Sequence, residues 1–282
     1  MSRTSHSRPT AGRLGRWLSV RHSVRAEALL VLAVYGAYEL SRGLVVGNAG
    51  AAVQHAHELT TLERSLGLFV EQQVQDTART LPGLMPALGV SYLTLHLAVT
   101  VGVLAWLHQR RPATFPLVRT TLVLASGLAL IGYLVFPTAP PRLSGIGIAD
   151  TVSGGHIDLN TGLVSSIYNP YAAVPSMHLG YALIVGVAVA GQTRSRLLQA
   201  AAAAYPVFVL LVIVATGNHF LLDAAAGAAV SGLAFLGARL LLPDRRLRAV
   251  GERQSRLGAA CWRLPPALER RARDDELEQR VA

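Results

Sequence analysis

Long apolar stretches alternate with short polar connections along this chain, a pattern typical of a protein that crosses a membrane several times. A helix needs about 20 mostly apolar residues to cross the hydrocarbon core of a bilayer. Five stretches approach or exceed this length: Ala26 to Val46, Gly83 to Leu107, Thr114 to Phe136, Leu198 to Ala215, and Phe220 to Leu242. A sixth, Leu179 to Ala190, reaches it if its helix begins near Ala172. We therefore predict six transmembrane helices.

The composition agrees with a membrane protein of this kind. Of 282 residues, 51% are hydrophobic and only 15% are charged, and the mean hydropathy is +0.39. Every basic residue is an arginine, and Ala, Leu, Val and Gly dominate, a bias typical of a GC-rich bacterial genome. We therefore expect a bacterial plasma membrane protein. The single cysteine, Cys261, excludes an intramolecular disulfide and a cysteine metal cluster.

The net charge of +10 does not indicate a nucleic-acid partner. The arginines lie in the two tails and in short connections, without the interleaved aromatic residues on which bases stack. The partners that we expect for them are anionic lipid headgroups at the cytoplasmic face.

The distribution of arginines also predicts the orientation, because cytoplasmic connections carry an excess of basic residues. With the N-terminus inside, the outer segments hold only Arg64, Arg79 and Arg142, and six spans return the basic C-terminal segment to the inside. Both termini are therefore expected in the cytoplasm. We predict a basic cytoplasmic tail over residues 1–25, a six-helix membrane domain over 26–242, and a charged cytoplasmic tail over 243–282.

Two substantial segments then face the outside. The first, Gly47 to Pro82, is predicted to form an amphipathic helical layer over the outer end of the bundle. Its apolar face comprises Leu59, Leu62, Leu66, Leu68, Phe69, Val70 and Val74, among the acidic residues Glu58, Glu63, Glu71 and Asp76. The second, Pro137 to about Pro170, is rich in Pro, Gly, Ser and Asn and is predicted to be a loop. The expected fold is an all-α bundle of six transmembrane helices with an outer amphipathic segment.

Three polar clusters interrupt the apolar pattern, and the predicted topology brings all of them to the outer face. They are Phe136 to Leu143 (FPTAPPRL), Asn169 to Leu179 (NPYAAVPSMHL) and Thr216 to Asp223 (TGNHFLLD). The first follows the third span, and the other two open the fourth and sixth spans. Clusters that are far apart in sequence thus meet at one depth, which favours a shared site.

The residue types in these clusters point to phosphate chemistry. His219 and Asp223 are four residues apart at a helix start, so Asp223 can orient the imidazole as a nucleophile or base. His178 follows a proline in the first turn of another helix, where free N–H groups and the helix dipole favour an anion. Arg142 adds a guanidinium that matches phosphate oxygens. Together they supply a nucleophile, its orienting group, a second imidazole as acid, and a cation.

The clusters resemble the three motifs of the type 2 phosphatidic acid phosphatase superfamily, and more closely its branch related to inositol phosphorylceramide synthases. The resemblance covers about Leu59 to Leu242 and leaves both tails outside. Val212 and Ile213 stand where the third motif of the wider superfamily has Ser-Arg. The first cluster lacks the usual lysine and arginine-proline pair. We therefore expect less positive charge at this site than the wider superfamily has.

The resemblance implies an integral membrane phosphoesterase that acts on a lipid or polyprenyl phosphate at the outer face, by hydrolysis or by transfer to an alcohol acceptor. His219 would form a phosphohistidine, Asp223 would orient and stabilise it, and His178 would protonate the leaving alcohol. No metal or other cofactor is expected in such a mechanism. The groups expected to bind the phosphate are Arg142, Ser176, Asn218 and Tyr168.

Two other classes of function fit parts of the same pattern. In one, His178, His219 and Asp223 bind a metal ion together with His156 or Asp158. In the other, the same groups hold a lipid headgroup for binding or translocation, without catalysis. Metal analysis distinguishes the first alternative, and retained affinity without phosphate release distinguishes the second.

Overall fold

The computed structural model describes residue 18 and residues 22–44, 49–151 and 171–242. These residues form eight α-helices and one 3-10 helix, with no β-strand among them. The helices are α1 (Val24–Leu44), α2 (Ala49–Ser65), α3 (Glu71–Arg79), α4 (Leu84–Arg110), α5 (Phe115–Val135), α6 (Met177–Ala190), α7 (Arg196–Ala215) and α8 (Leu221–Leu241). The 3-10 helix, Pro141–Leu143, lies between α5 and α6. The predicted all-α class is confirmed for this part of the chain.

Four helices are long and apolar enough to cross a membrane. They are α4, α5, α7 and α8, with 27, 21, 20 and 21 residues. Four of the six predicted spans therefore have the length and composition that a crossing needs. The other two correspond to α1, which has four charged residues among its 21, and to α6, an apolar helix of 14 residues. That α1 and α6 also cross the bilayer stays a prediction.

Helix α6 begins later than the sequence pattern predicts. A start near Ala172 is wrong, because the helix begins at Met177. The residues before it are extended: Ser176 has φ −72° and ψ 106°, and the Val174–Pro175 peptide is cis. Proline lacks an N–H and disfavours helical geometry in the residue before it. At about 1.5 Å per residue, α6 is about 21 Å long.

Helix α6 is the centre of the bundle, where it packs against α4, α5, α7 and α8. Small residues allow these close approaches, as is common between membrane helices. A Cβ at Gly180 would lie 2.8 Å from Oγ of Ser231 in α8, and one at Gly186 would lie 2.7 Å from the Ala202 carbonyl oxygen in α7. The first turn of α6, which contains His178, is therefore held on several sides.

The α2–α3 segment (Ala49–Arg79) corresponds to the predicted outer layer, but some of its side chains point differently. Leu59, Phe69 and Val74 of the predicted apolar face pack against the core. Leu62 and Leu66 are 46% and 57% exposed, whereas Glu63 and Glu71 are completely buried. That the segment forms an outer amphipathic layer stays a prediction. The two glutamates accept hydrogen bonds from backbone N–H groups at the start of α8. These bonds explain why the glutamates face the bundle.

Candidate active site

The third polar cluster forms a tight turn between α7 and α8. The backbone N–H groups of Asn218 and His219 both donate to the Ile213 carbonyl, at 3.0 and 3.2 Å, and so close the end of α7. Gly217 has a left-handed φ of 67°, and a Cβ there would lie 2.7 Å from Ile148. Glycine is needed at this position for both backbone geometry and space. The turn buries His219, which is only 5% exposed.

Asp223 holds His219 in a defined orientation. Nδ1 of His219 lies 3.3 Å from Oδ2 of Asp223, and the same oxygen accepts a hydrogen bond from the Phe220 N–H at 2.9 Å. Asp223 is completely buried. Because an ionised carboxylate can only accept, this contact assigns the proton to Nδ1 and leaves the lone pair on Nε2. The structure thus brings together the pair predicted from the four-residue spacing.

His178 lies in the first turn of α6, with Ser176 as the N-cap residue. Ser176 is completely buried, and its hydroxyl has no hydrogen-bond partner among the described residues. The Ser176 N–H donates to the Asp223 carbonyl oxygen at 3.0 Å, which ties the start of α6 to α8. The ring centroids of His178 and His219 are 5.6 Å apart. Two imidazoles and a buried hydroxyl therefore converge at two adjoining helix starts.

Two side chains of α4 flank His178, and sequence reasoning missed both. Tyr92 stacks on the His178 ring, with centroids 4.3 Å apart and planes at 17°. The His96 ring lies 4.0 Å from it at 53°. In the sequence, His96 is interpreted as an ordinary core histidine of the second span. Tyr92 and His96 are four residues apart in an otherwise apolar helix, so they share one face of it. That spacing is the feature of the sequence that could have indicated them.

Arg142 lies beside the third cluster, positioned by the 3-10 helix. Its N–H donates to the Gly217 carbonyl at 2.9 Å, and its Nε donates to Oδ1 of Asn218 at 2.9 Å. Its Nη1 also forms an ion pair with Asp150 at 2.7 Å. The Arg142 side chain is fully buried, whereas that of Asp150 is 25% exposed. Sequence reasoning missed Asp150, which offsets the charge of the cation predicted to bind phosphate.

Backbone hydrogen bonds join the three clusters directly. In the first cluster, the Thr138 N–H donates to the Tyr171 carbonyl at 2.7 Å, and the Thr138 carbonyl accepts from Ala173 of the second cluster at 3.2 Å. The bonds of Arg142 and Ser176 to the third cluster complete the connections. The three clusters are therefore parts of one site.

Three residues considered in the sequence analysis lie outside the described part of the chain. They are Tyr168, expected to help bind phosphate, and His156 and Asp158 of the metal hypothesis. Among the described residues, no group of three or more His, Cys, Asp or Glu side chains is arranged to hold a metal ion. The metal hypothesis therefore depends on ligands from outside those residues.

The joined clusters contain a histidine whose orientation suits it to act as a nucleophile or a base. A buried carboxylate orients one imidazole, and a second imidazole faces it. Ser176, Asn218 and Arg142 belong to the same linked clusters and carry groups that can donate to phosphate oxygens. Fold and site together define a helical membrane protein with a histidine-centred polar site at one end of its bundle.

A family model described as the PAP2 superfamily matches residues 57–237 of the chain. The match covers more than half of the 282 residues and includes all three polar clusters. This chain belongs to the PAP2 superfamily, whose members are generally membrane phosphatases or phosphotransferases. No curated protein and no solved structure matches it.

Proposed function

We propose that this protein is a phosphatase or phosphotransferase that acts on a lipid or polyprenyl phosphate through a phosphohistidine on His219. We further propose that it works at the outer face of a bacterial plasma membrane, with both termini in the cytoplasm. The observation that carries the proposal is the buried His219–Asp223 pair with the His178 ring 5.6 Å from that of His219. Membership of the PAP2 superfamily supports the reaction class.

In the first step, Nε2 of His219 attacks the phosphorus atom, and the bond from phosphorus to the oxygen of the leaving alcohol breaks. His178 donates a proton to that oxygen, so the alcohol leaves as a neutral molecule. The phosphorylated imidazole is positively charged, and the carboxylate of Asp223 beside Nδ1 stabilises it. The burial of Asp223 strengthens this interaction because little water screens it.

In the second step, His178 accepts a proton from a water molecule or from an alcohol hydroxyl. The oxygen of that molecule attacks phosphorus, and the bond to Nε2 of His219 breaks. Water yields inorganic phosphate, whereas an alcohol yields a new phosphoester. Hydrolysis and transfer to an alcohol are equally open, because both share the first step.

The phosphate is proposed to bind between Arg142 and the start of α6. The Ser176 hydroxyl lacks a partner among the described residues and can donate to a phosphate oxygen there. The Asn218 amide and Tyr168 are proposed to assist. Because Asp150 pairs with Arg142 at 2.7 Å, part of the attraction must come from neutral donors and from protonated His178.

The test is phosphate release by detergent-purified protein from a panel of lipid phosphates in excess chelator, with and without an alcohol acceptor. Wild-type protein is expected to release phosphate or to phosphorylate the acceptor, and His219→Ala is expected to do neither, because it lacks the nucleophile. His57→Ala removes an exposed histidine of α2 and is the matched control, with wild-type turnover expected.

The alternatives give different results in the same assay. Retention of a lipid phosphate by wild-type protein without any release or transfer supports binding without catalysis. Turnover that the chelator abolishes and an added divalent metal restores supports the metal hypothesis. Either result contradicts the proposed mechanism.

A further inference from the structure

The start of α8 is fastened by carboxylates from outside the helix. The Leu221 N–H donates to Oε1 of Glu71 at 2.9 Å, and the Leu222 N–H donates to Oε1 of Glu63 at 2.8 Å. The Phe220 N–H, immediately before them, donates to Oδ2 of Asp223. Helix starts leave such N–H groups without intrahelical partners, and their positive dipole end attracts carboxylates. Three successive N–H groups beside His219 thus each have a different carboxylate acceptor.

Glu63 and Glu71 are both completely buried, and they accept from consecutive N–H groups, which places the two carboxyls side by side. The second oxygen of each has no hydrogen-bond partner among the described residues. Two buried carboxyls this close repel each other when both are ionised, which favours a proton on one of them. Burial and the negative charges of Glu71 and Asp223 raise the pKa of Glu63 to about 8, although the Leu222 N–H lowers it. The pair therefore holds one proton at neutral pH.

No ion pair among the described residues includes either glutamate. Arg64 follows Glu63 in the chain, but its guanidinium lies over the Phe69 ring, 4.7 Å from the centroid. The ionisable group of α8 that faces the pair is Asp223, with His219 behind it. The proton, rather than a cation, therefore offsets the repulsion between these buried acids.

We propose that Glu63 and Glu71 are positioning residues for the His219–Asp223 pair, as a carboxyl pair that shares one proton and fastens the α2–α3 segment to the first turn of α8. The inference rests on the proposed function of His219. Asp223 directly follows the residue that Glu63 binds, so a shift of this turn displaces the carboxylate that orients the nucleophile. The effect is expected in kcat rather than in KM, because both glutamates act through α8.

The pair makes the arrangement sensitive to alkaline pH. The pKa of Glu63 is raised from its ordinary value of 4.5 to about 8. The contribution of the protonated pair to the free energy of unfolding is therefore complete below pH 4.5 and is lost as the pH rises through about 8. Ionisation at that pH would leave two carboxylates side by side at the start of α8. We expect kcat to fall across an apparent pKa near 8.

Glu63→Gln tests this expectation, because glutamine has the shape and hydrogen bonds of protonated glutamate and cannot ionise. At neutral pH its kcat is expected to equal that of wild-type protein, and the fall near pH 8 is expected to disappear. Glu58→Gln changes an exposed acid on the same helix and is the matched control, whose kcat should fall near pH 8 as in wild-type protein. If the kcat of Glu63→Gln also falls near pH 8, the proposal is overturned.

The double variant tests whether one proton is shared. With glutamine at both positions, two NH₂ groups face each other without an acceptor, so kcat is expected to drop by about tenfold or more even at neutral pH. Each single glutamine variant keeps one acceptor and should remain active. A double variant as active as the singles overturns the shared-proton arrangement.

Amide hydrogen exchange at Leu221 and Leu222 separates this inference from the proposed function. In wild-type protein, exchange at these two amides is expected to accelerate between about pH 7 and about pH 9 by more than the intrinsic effect of pH. In Glu63→Gln only the intrinsic effect is expected. That result without any phosphate release would support the positioning pair while refuting the proposed chemistry. Phosphate release with no such difference in exchange would overturn the positioning pair alone.

Discussion

Asp223→Asn is expected to lower kcat by about two to three orders of magnitude while the fold is retained. The amide oxygen can take the place of Oδ2 and accept from both the Phe220 N–H and Nδ1 of His219. The amide is neutral, however, so it no longer stabilises the positive charge that develops on the imidazole when Nε2 is phosphorylated. The variant would thus keep the geometry of the pair and lose its charge. Steady-state kinetics on the best lipid phosphate of the panel measures the loss.

Asp76→Asn makes the same chemical change at an exposed position of α3 and is the matched control. It should keep wild-type kcat. Thermal unfolding in detergent should give similar Tm values for both variants, which separates a lost charge from a lost fold. An Asp223→Asn enzyme within about tenfold of wild type would contradict the charge-stabilising role of Asp223.

Gly227→Ala is expected to abolish activity through packing rather than chemistry. A Cβ at Gly227 would lie 2.1 Å from the Ser176 carbonyl oxygen, a distance that forces α6 and α8 apart. The separation breaks the Ser176 N–H bond to the Asp223 carbonyl and moves His178 away from His219. Overpacking of this kind costs about 1–3 kcal/mol of stability, and more where backbone atoms collide. Thermal unfolding and kcat should therefore both decline.

Gly232→Ala lies in the same helix, where an added Cβ meets no atom within 4 Å. It should be neutral or stabilising by up to about 1 kcal/mol, because alanine favours the helix over glycine. The two alanine variants differ only in what the new methyl group contacts. Equal Tm and kcat for both would show that α6 and α8 are not in close contact at Gly227.

The parts of the site that sequence predicts are those that local geometry determines. His219 and Asp223 are one helical turn apart, so their spacing alone places them on one face. Pro175 marks a helix start, which is why His178 is predictable as a first-turn residue even though the predicted start near Ala172 is too early. Long apolar runs likewise predict α4, α5, α7 and α8.

The parts that sequence does not predict depend on contacts between distant segments. Glu63 and Glu71 belong to a stretch whose leucines suggest a buried apolar face, yet the glutamates are buried. Their partners are N–H groups 159 and 150 residues later, which no periodicity can reveal. The ion pair of Asp150 with Arg142 needs a loop that folds back against the third cluster, and Tyr92 reaches His178 only through the packing of α4 on α6.

The phosphohistidine on His219 is tested most directly by trapping the phosphoenzyme. Protein mixed with a lipid phosphate labelled at phosphorus is quenched in denaturant within a single turnover, and the site of the label is determined. We expect an acid-labile, base-stable phosphoryl group on His219 that is absent from His219→Ala and present in His57→Ala. Turnover with no label on His219 at any time, or labelling that persists in His219→Ala, would contradict this expectation.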